Sequence, residues 1–294
     1  MTGTAELFAA LERALVDWGG GFRIERVTPV AGGCIHRCFV LEGGKRRLFA
    51  KTNHCSRLDA FAAEAEGLAA LAAAGIRVPA PLCWGETGET AYLALEHLDL
   101  REAGDYAALG RMLALLHSAH GQHYGWARDN YIGSNPQHNR LSDSWITFWR
   151  EARLEPQLEL ARRNGFEKLV AEKGRRLSDA LPLLLAGHAP AASLLHGDLW
   201  SGNAGFLAAG TPVIFDPAVY HGDRETDVAM TELFGGFPEA FYSAYREAAP
   251  LDPGYALRKT LYNLYHVLNH ANIFGASYGA QAERMIDRLL GEVR

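Results

Sequence analysis

A chain of 294 residues is long enough for one large domain or two lobes. With 48% hydrophobic and 21% charged residues it must pack a core, which excludes a disordered chain. The formal net charge of −5 argues against electrostatic binding to nucleic acid or to an anionic membrane surface. No apolar run approaches the roughly 18 residues of a membrane span, and Met1 to Phe8 lack the basic-then-apolar order of a secretion signal. A cytoplasmic protein with no membrane or nucleic-acid partner is expected. Cys34, Cys38, Cys55 and Cys83 form no C-x-x-C pair, so reduced thiols are expected.

In chain order, Leu7, Phe8, Leu11, Leu15 and Trp18 recur at helical spacing over 4–18, and Gly19-Gly20-Gly21 ends that helix. Strands are expected at 24–30, 38–41 and 47–51, with Gly32-Gly33 and Gly43-Gly44 as the turns between them. An Ala- and Glu-rich helix follows over 58–74, closed by Gly75, and two further strands lie at 83–84 and 91–96. After His97 the strand signal thins. Helices are expected at 103–120, 145–163 and 166–185, with short strands only at 194–196 and 213–215 and helices again from Asp227 onward. The pattern implies an α+β fold in two lobes: a small β-rich N-lobe with an antiparallel sheet over 1–97, and a mostly helical C-lobe over 98–294.

The chemistry concentrates in His196-Gly197-Asp198-Leu199-Trp200-Ser201-Gly202-Asn203. Asp198 and Asn203 keep the Asp-x4-Asn spacing of a kinase catalytic loop, in which the Asp accepts the proton of the substrate hydroxyl and the Asn offers a neutral oxygen to Mg²⁺. Val213-Ile214-Phe215-Asp216 is a short apolar strand ending in a carboxylate, the expected second metal ligand. Lys51 ends a strand, and Glu64 on the next helix is its expected partner in a clamp on the nucleotide phosphates. Glu66 is the rival and faces another way, whereas Glu64 places Leu68 one turn further on and inward. Gly32, Gly33 and Cys34 stand where a loop would cover phosphates, or else form an ordinary hairpin turn. Each feature alone is common. Their joint order, from glycine turn through Lys, helix Glu and Asp-x4-Asn to strand Asp, points to a protein-kinase-like fold that uses ATP and Mg²⁺.

The segment HGDLWSGN at 196–203 resembles the signature of the fructosamine (ketosamine) 3-kinases. Similar stretches continue at 130–137, at 145–157 and from Asp216-Pro217-Ala218-Val219-Tyr220 to Gly235-Gly236-Phe237. The resemblance implies ATP-dependent phosphorylation of the 3-hydroxyl of a free or protein-linked ketosamine of ribulosamine, erythrulosamine or fructosamine type, leading to deglycation. It also implies that Glu96 and Leu98 flank a hinge whose backbone meets adenine, and that Asp227 braces the catalytic loop. Gly197 stands where protein kinases carry the Arg of H-R-D, so control by loop phosphorylation is not expected.

Trp200 can pack against the substrate or lie in the core, and Asp223, Glu225 and Glu232 are alternative counter-charges for the substrate amine. Tyr262, His266 and His270 are expected in the core, as are His117 and His120. The competing functions are another small-molecule kinase of the same fold, of aminoglycoside, choline or homoserine type, and a nucleotide-binding pseudokinase.

Overall fold

The computed structural model describes residues 2–17, 21–31 and 35–293. Trp18, Gly19 and Gly20 of the first expected helix and its stop lie outside them, as do Gly32, Gly33 and Cys34. The chain forms two compact units, one of Met1–Gly104 with Gly205–Pro217 and one of Asp105–Ala204 with Ala218–Arg294. The first therefore continues past residue 97 to Gly104 and takes in a later segment as well.

The first unit opens with α1 (Thr2–Asp17), β1 (Arg26–Val30), β2 (Arg37–Gly43) and β3 (Arg46–His54), then α2 (Leu58–Ala73), β4 (Pro81–Thr87) and β5 (Thr90–Glu96). The strands form one antiparallel sheet in the order β1-β2-β3-β5-β4. Side chains alternate faces along a strand. Leu41, Leu48, Ala50, Tyr92 and Ala94 accordingly bury one face against Leu7, Leu11 and Leu15 of α1. Each fully buried Leu contributes roughly 1.5–3 kcal/mol relative to exposure. On α2, Phe61, Ala65 and Leu68 recur one turn apart and are buried, whereas Glu66 is exposed.

The second unit begins with α3 (Tyr106–His117), followed by the small hairpin β6 (Asn130–Ile132) and β7 (Asn135–Gln137). The expected helix 145–163 is three pieces: α4 (Trp145–Phe148), a π-helical turn over Trp149–Leu154, and α5 (Glu155–Arg163). α6 (Glu167–Leu184) and β8 (Ser193–Leu195) lead to the catalytic-loop segment. The chain then forms β9 (Ala204–Phe206) and β10 (Pro212–Ile214), which pair, before β11 (Tyr220–Gly222) pairs antiparallel with β8. Four helices complete the unit: α7 (Glu225–Leu233), α8 (Glu239–Ala248), α9 (Tyr255–Phe274) and α10 (Ala276–Gly291). Its core joins Trp145, Phe148 and Trp149 to Leu181, Tyr262, Leu268 and Ile286. The Trp149 and Tyr262 rings meet edge to face at 4.8 Å.

Candidate active site

In the first unit, β3 places Lys51 between Cys38 of β2 and Leu93 of β5, where its side chain turns inward and is 4% exposed. A buried ammonium needs partners. Lys51 Nζ donates to Glu64 Oε1 at 2.7 Å and to Asp216 Oδ1. Glu64 reaches it because Phe61, Glu64 and Leu68 share the inward face of α2. Burial works against the ammonium, but Asp216 and Glu64 outweigh it and raise its pKa above the usual lysine value. Burial pushes the Glu64 carboxyl up, and the nearby Asp216 charge adds to this against the pull of Lys51.

Asp216 lies just past β10 with φ +57°, the only positive φ outside glycine among the described residues. Aspartate tolerates that region better than most residues, and the turn leaves its carboxylate 45% exposed. His36 was not singled out from the sequence. Its ring packs on Phe61 at 4.9 Å and its Nδ1 lies 3.0 Å from Asn53 Nδ2. Burial and the Lys51 charge push its pKa down to about 4, so it adds no second cation beside Lys51 at neutral pH.

Of the proposed hinge residues, Glu96 ends β5 and Leu98 lies two residues beyond it. Glu96 pairs with Arg77 at 2.7 Å, and its carboxylate also accepts from Ala80 N at 3.2 Å. The Leu98 carbonyl accepts from Leu100 N at 3.0 Å, and Arg101 bridges to Phe206.

In the second unit the catalytic-loop segment hangs from one carboxylate. Asp227 is 1% exposed and accepts from His196 N at 2.7 Å and Gly197 N at 2.8 Å. Its third partner is His117 Nε2 at 3.1 Å, and His117 Nδ1 meets Tyr245 Oη at 2.8 Å. Asp227 therefore does not cap its own helix. Asp223, one residue before the N-cap Arg224, accepts from Glu225 N at 3.0 Å. Burial pushes the Asp227 carboxyl up, but the His117 hydrogen bond, the charges of His117 and His196 and the Gly197 N–H more than reverse this and hold it below the ordinary aspartate value.

Gly197 has φ +82°, and a Cβ there would stand 2.1 Å from the Ala218 carbonyl oxygen. No side chain fits, so this loop cannot carry the arginine of H-R-D. Asn203 Nδ2 donates to Asp198 O at 2.8 Å, a bond that does not use its amide oxygen. Asp198 N bonds back to His196 Nδ1 at 3.2 Å. Trp200 is half-buried. It closes over Gly202, where a Cβ would lie 2.4 Å from the indole, and meets Phe234 edge to face at 5.8 Å.

A polar network that sequence reading left without a role supports the strand after the loop. Asn130 Nδ2 donates to Val219 O at 2.8 Å, and Gln137 Nε2 to Ala218 O at 3.0 Å. Tyr265 Oη holds Gln137 Oε1 at 2.8 Å. Arg153 Nη2 donates to Asn139 Oδ1 at 2.8 Å, and Asn139 Nδ2 to Asn130 Oδ1 at 2.9 Å. Arg153 is 0% exposed, with its guanidinium 3.9 Å from the Tyr220 ring centroid and 4.7 Å from that of Phe148. The π-helical turn brings it there. The signal was the pair of segments at 130–137 and 145–157, which carry Asn130, Gln137 and Arg153 but not Asn139 or Tyr265.

The three acidic candidates for the substrate amine are otherwise engaged. Asp223 meets His188 Nε2 at 2.6 Å and Tyr262 Oη at 2.5 Å, Glu225 pairs with Arg258 at 2.6 Å, and Glu232 holds Tyr255 Oη at 2.6 Å and Lys259 at 2.7 Å. Tyr262, His266 and His117 are core residues as expected, but His270 is only half-buried and His120, also expected in the core, is exposed.

The six chemical residues thus form two groups, Lys51–Glu64–Asp216 in the first unit and Asp198–Asn203–Asp227 in the second. A family model described as fructosamine kinase matches residues 10–292. The chain belongs to the fructosamine kinase family. Within that family it is 46% identical to a probable ketoamine kinase of Synechocystis, over 92% of each chain. It is 40% identical to a chloroplastic protein-ribulosamine 3-kinase of Arabidopsis thaliana, over 96% of this chain and 89% of that one. The crystal structure of a candidate fructosamine-3-kinase from Haemophilus somnus covers 97% of the chain with a TM-score of 0.87 at 28% identity, spanning 99% of that protein. The chain is therefore a small-molecule kinase with an α+β kinase-like fold.

Proposed function

We propose that this protein transfers the γ-phosphoryl group of ATP to the 3-hydroxyl of a ketosamine, with Mg²⁺ as the resident cation. Family membership supports the reaction class, as do the ketoamine and ribulosamine kinase names of its relatives. The observation that carries the reading is the Asp198–Asn203 loop, suspended from Asp227 through two backbone N–H groups.

Asp198 would accept the hydroxyl proton as its oxygen bonds to phosphorus and ADP departs. Lys51, kept protonated by Glu64 and Asp216, would balance phosphate charge. The Asp216 carboxylate and Asn203 amide are hard oxygen donors of the kind Mg²⁺ takes, and the bound ion would neutralise charge on the phosphate oxygens. The backbone at Glu96 and Leu98 would meet adenine, and Gly32, Gly33 and Cys34 would cover the phosphates. In this reading 1–97 forms the phosphate clamp and 98–294 holds the catalytic loop and the substrate pocket. The product, phosphorylated beside its carbonyl, releases its amine and so reverses glycation. We assign the reaction to the cytoplasm, supported by free thiols at Cys38, Cys55 and Cys83. Among the described residues no helix is long and apolar enough to cross a membrane.

The test is an ATP turnover assay on ribulosamine, erythrulosamine and fructosamine beside an aminoglycoside, choline and homoserine, with the phosphorylated position mapped by NMR. Asp198→Asn should lower kcat about 10²–10⁴-fold while ATP still binds. Turnover of only the non-ketosamine substrates, or an unimpaired Asp198→Asn variant, would refute the assignment.

A further inference from the structure

The second unit gathers a polar cluster that phosphoryl transfer does not use. His188 comes from the turn after α6, Glu225 from the start of α7 and Asp252 from the segment before α9. One ligand atom from each, a ring nitrogen or a carboxylate oxygen, lies within 4.8 Å of the other two.

The histidine is the informative member. Its side chain is 4% exposed, and its Nε2 lies 2.6 Å from Asp223 Oδ2. Asp223 also accepts from Tyr262 Oη at 2.5 Å and from Glu225 N at 3.0 Å. A carboxylate only accepts, so in the neutral ring the proton sits on Nε2 and Nδ1 presents a lone pair. Nδ1 faces Asp252 Oδ2 at 3.5 Å. That is longer than the roughly 2.7–3.2 Å of a hydrogen bond. Two ligands of a tetrahedral Zn²⁺, each bonded at roughly 2.0–2.2 Å, stand roughly 3.3–3.6 Å apart. A carboxylate that holds the far nitrogen of an imidazole is also the means by which proteins orient a metal-ligating histidine.

Glu225 brings the third oxygen donor. Arg258 donates to both of its oxygens, at 2.6 and 2.9 Å, and Asp252 N lies 3.3 Å from Oε1. A carboxylate has about four lone-pair sites, so these contacts position Glu225 without exhausting it. Arg258 and Arg224 set two positive charges against the carboxylates of Asp223, Glu225 and Asp252, which leaves one negative charge for a cation. The Asp252 side chain is 57% exposed, so it can close on an ion and water can complete the shell. We propose that His188, Glu225 and Asp252 bind a divalent cation of the Zn²⁺ class, with Asp223 orienting the imidazole from behind. An imidazole ligand favours such ions over Mg²⁺, so the site does not serve the nucleotide. The ion ties the segment before α9 to the start of α7, the helix that carries Asp227.

The experiment titrates Zn²⁺ into the full-length protein by calorimetry, with excess Mg²⁺ present to hold the active-site carboxylates. The wild type should take up Zn²⁺ at this site with a Kd in the micromolar range or below. Asp252→Asn changes an exposed side chain and should weaken that uptake at least about tenfold, and His188→Gln should do the same. Saturating Zn²⁺ should raise the melting temperature of the wild type by about 3–6 °C and that of Asp252→Asn by less than about 1 °C. His123→Ala, which removes a histidine beside another carboxylate, Asp143, is the control and should behave as wild type. A wild-type protein that takes up no Zn²⁺ overturns the site and leaves His188 as a buried ion-pair partner. Uptake that stays within about twofold of wild type in both Asp252→Asn and His188→Gln places the ion elsewhere and overturns it equally.

Discussion

Replacing Asp227 by alanine takes the acceptor away from three buried donors at once, His196 N, Gly197 N and His117 Nε2. A buried donor left unsatisfied costs about 1–3 kcal/mol, and water entering the vacated space recovers part of that. The expected loss of unfolding free energy is therefore about 3–6 kcal/mol, a large share of a typical domain's 5–15 kcal/mol. Urea denaturation measures it. The same change frees the backbone on which Asp198 is mounted, so kcat should fall further than KM rises. Asp227→Asn keeps one accepting oxygen and should cost about half as much, but it removes the titrating group. Because the Asp227 carboxyl is held below its ordinary value in the fold, its contribution is fully present above the ordinary aspartate pKa of about 3.9. That contribution disappears as pH falls through the still lower folded value. Wild-type stability should thus drop more steeply below pH of about 4 than that of Asp227→Asn. If Asp227→Ala is as stable as wild type within about 1 kcal/mol and turns over at the wild-type rate, the loop does not depend on this anchor and the reasoning fails.

Two further substitutions probe the other features. Lys51→Met leaves the buried Glu64 carboxylate without its cation, which should cost about 3–5 kcal/mol before Glu64 takes up a proton, and kcat should fall at least about 100-fold; wild-type turnover would remove Lys51 from the phosphate clamp. Gly197→Ala must both hold φ +82° and displace the Ala218 carbonyl, so urea denaturation should show a loss of about 2–5 kcal/mol together with reduced kcat, and a neutral result would mean that the loop yields freely.

The first unit was legible because its strands are short runs rich in strand-forming residues set off by glycine-bearing turns, and β1 to β5 lie where the pattern placed them to within a few residues. The β6–β7 hairpin was not legible. Its strands are three residues each, too short for alternation to register, and polar side chains hold it together. The π-helical turn was equally invisible, since one widened turn hardly disturbs a hydrophobic stripe that runs from Trp145 to Arg163. Lys51, Glu64, Asp198, Asn203, Asp216 and Asp227 stood out by type and order. Asn130, Gln137, Asn139 and Arg153 did not, because composition alone does not tell which polar side chains fold inward. The carboxylates at 223, 225 and 232 were ambiguous for a related reason: their partners, His188, Arg258 and Lys259, are brought up by parts of the chain far along the sequence.

The Arg153 strut has a bearing on how the enzyme meets acid. A guanidinium keeps its charge at any pH a cell encounters. Here it rests on aromatic faces, a side-chain amide and backbone carbonyls rather than on a carboxylate that acid could neutralise. Acid stress should therefore release the Asp227 tether first, while the aromatic seat beneath Ala218 and Val219 stays assembled, so that restoring neutral pH finds the floor of the site already in place.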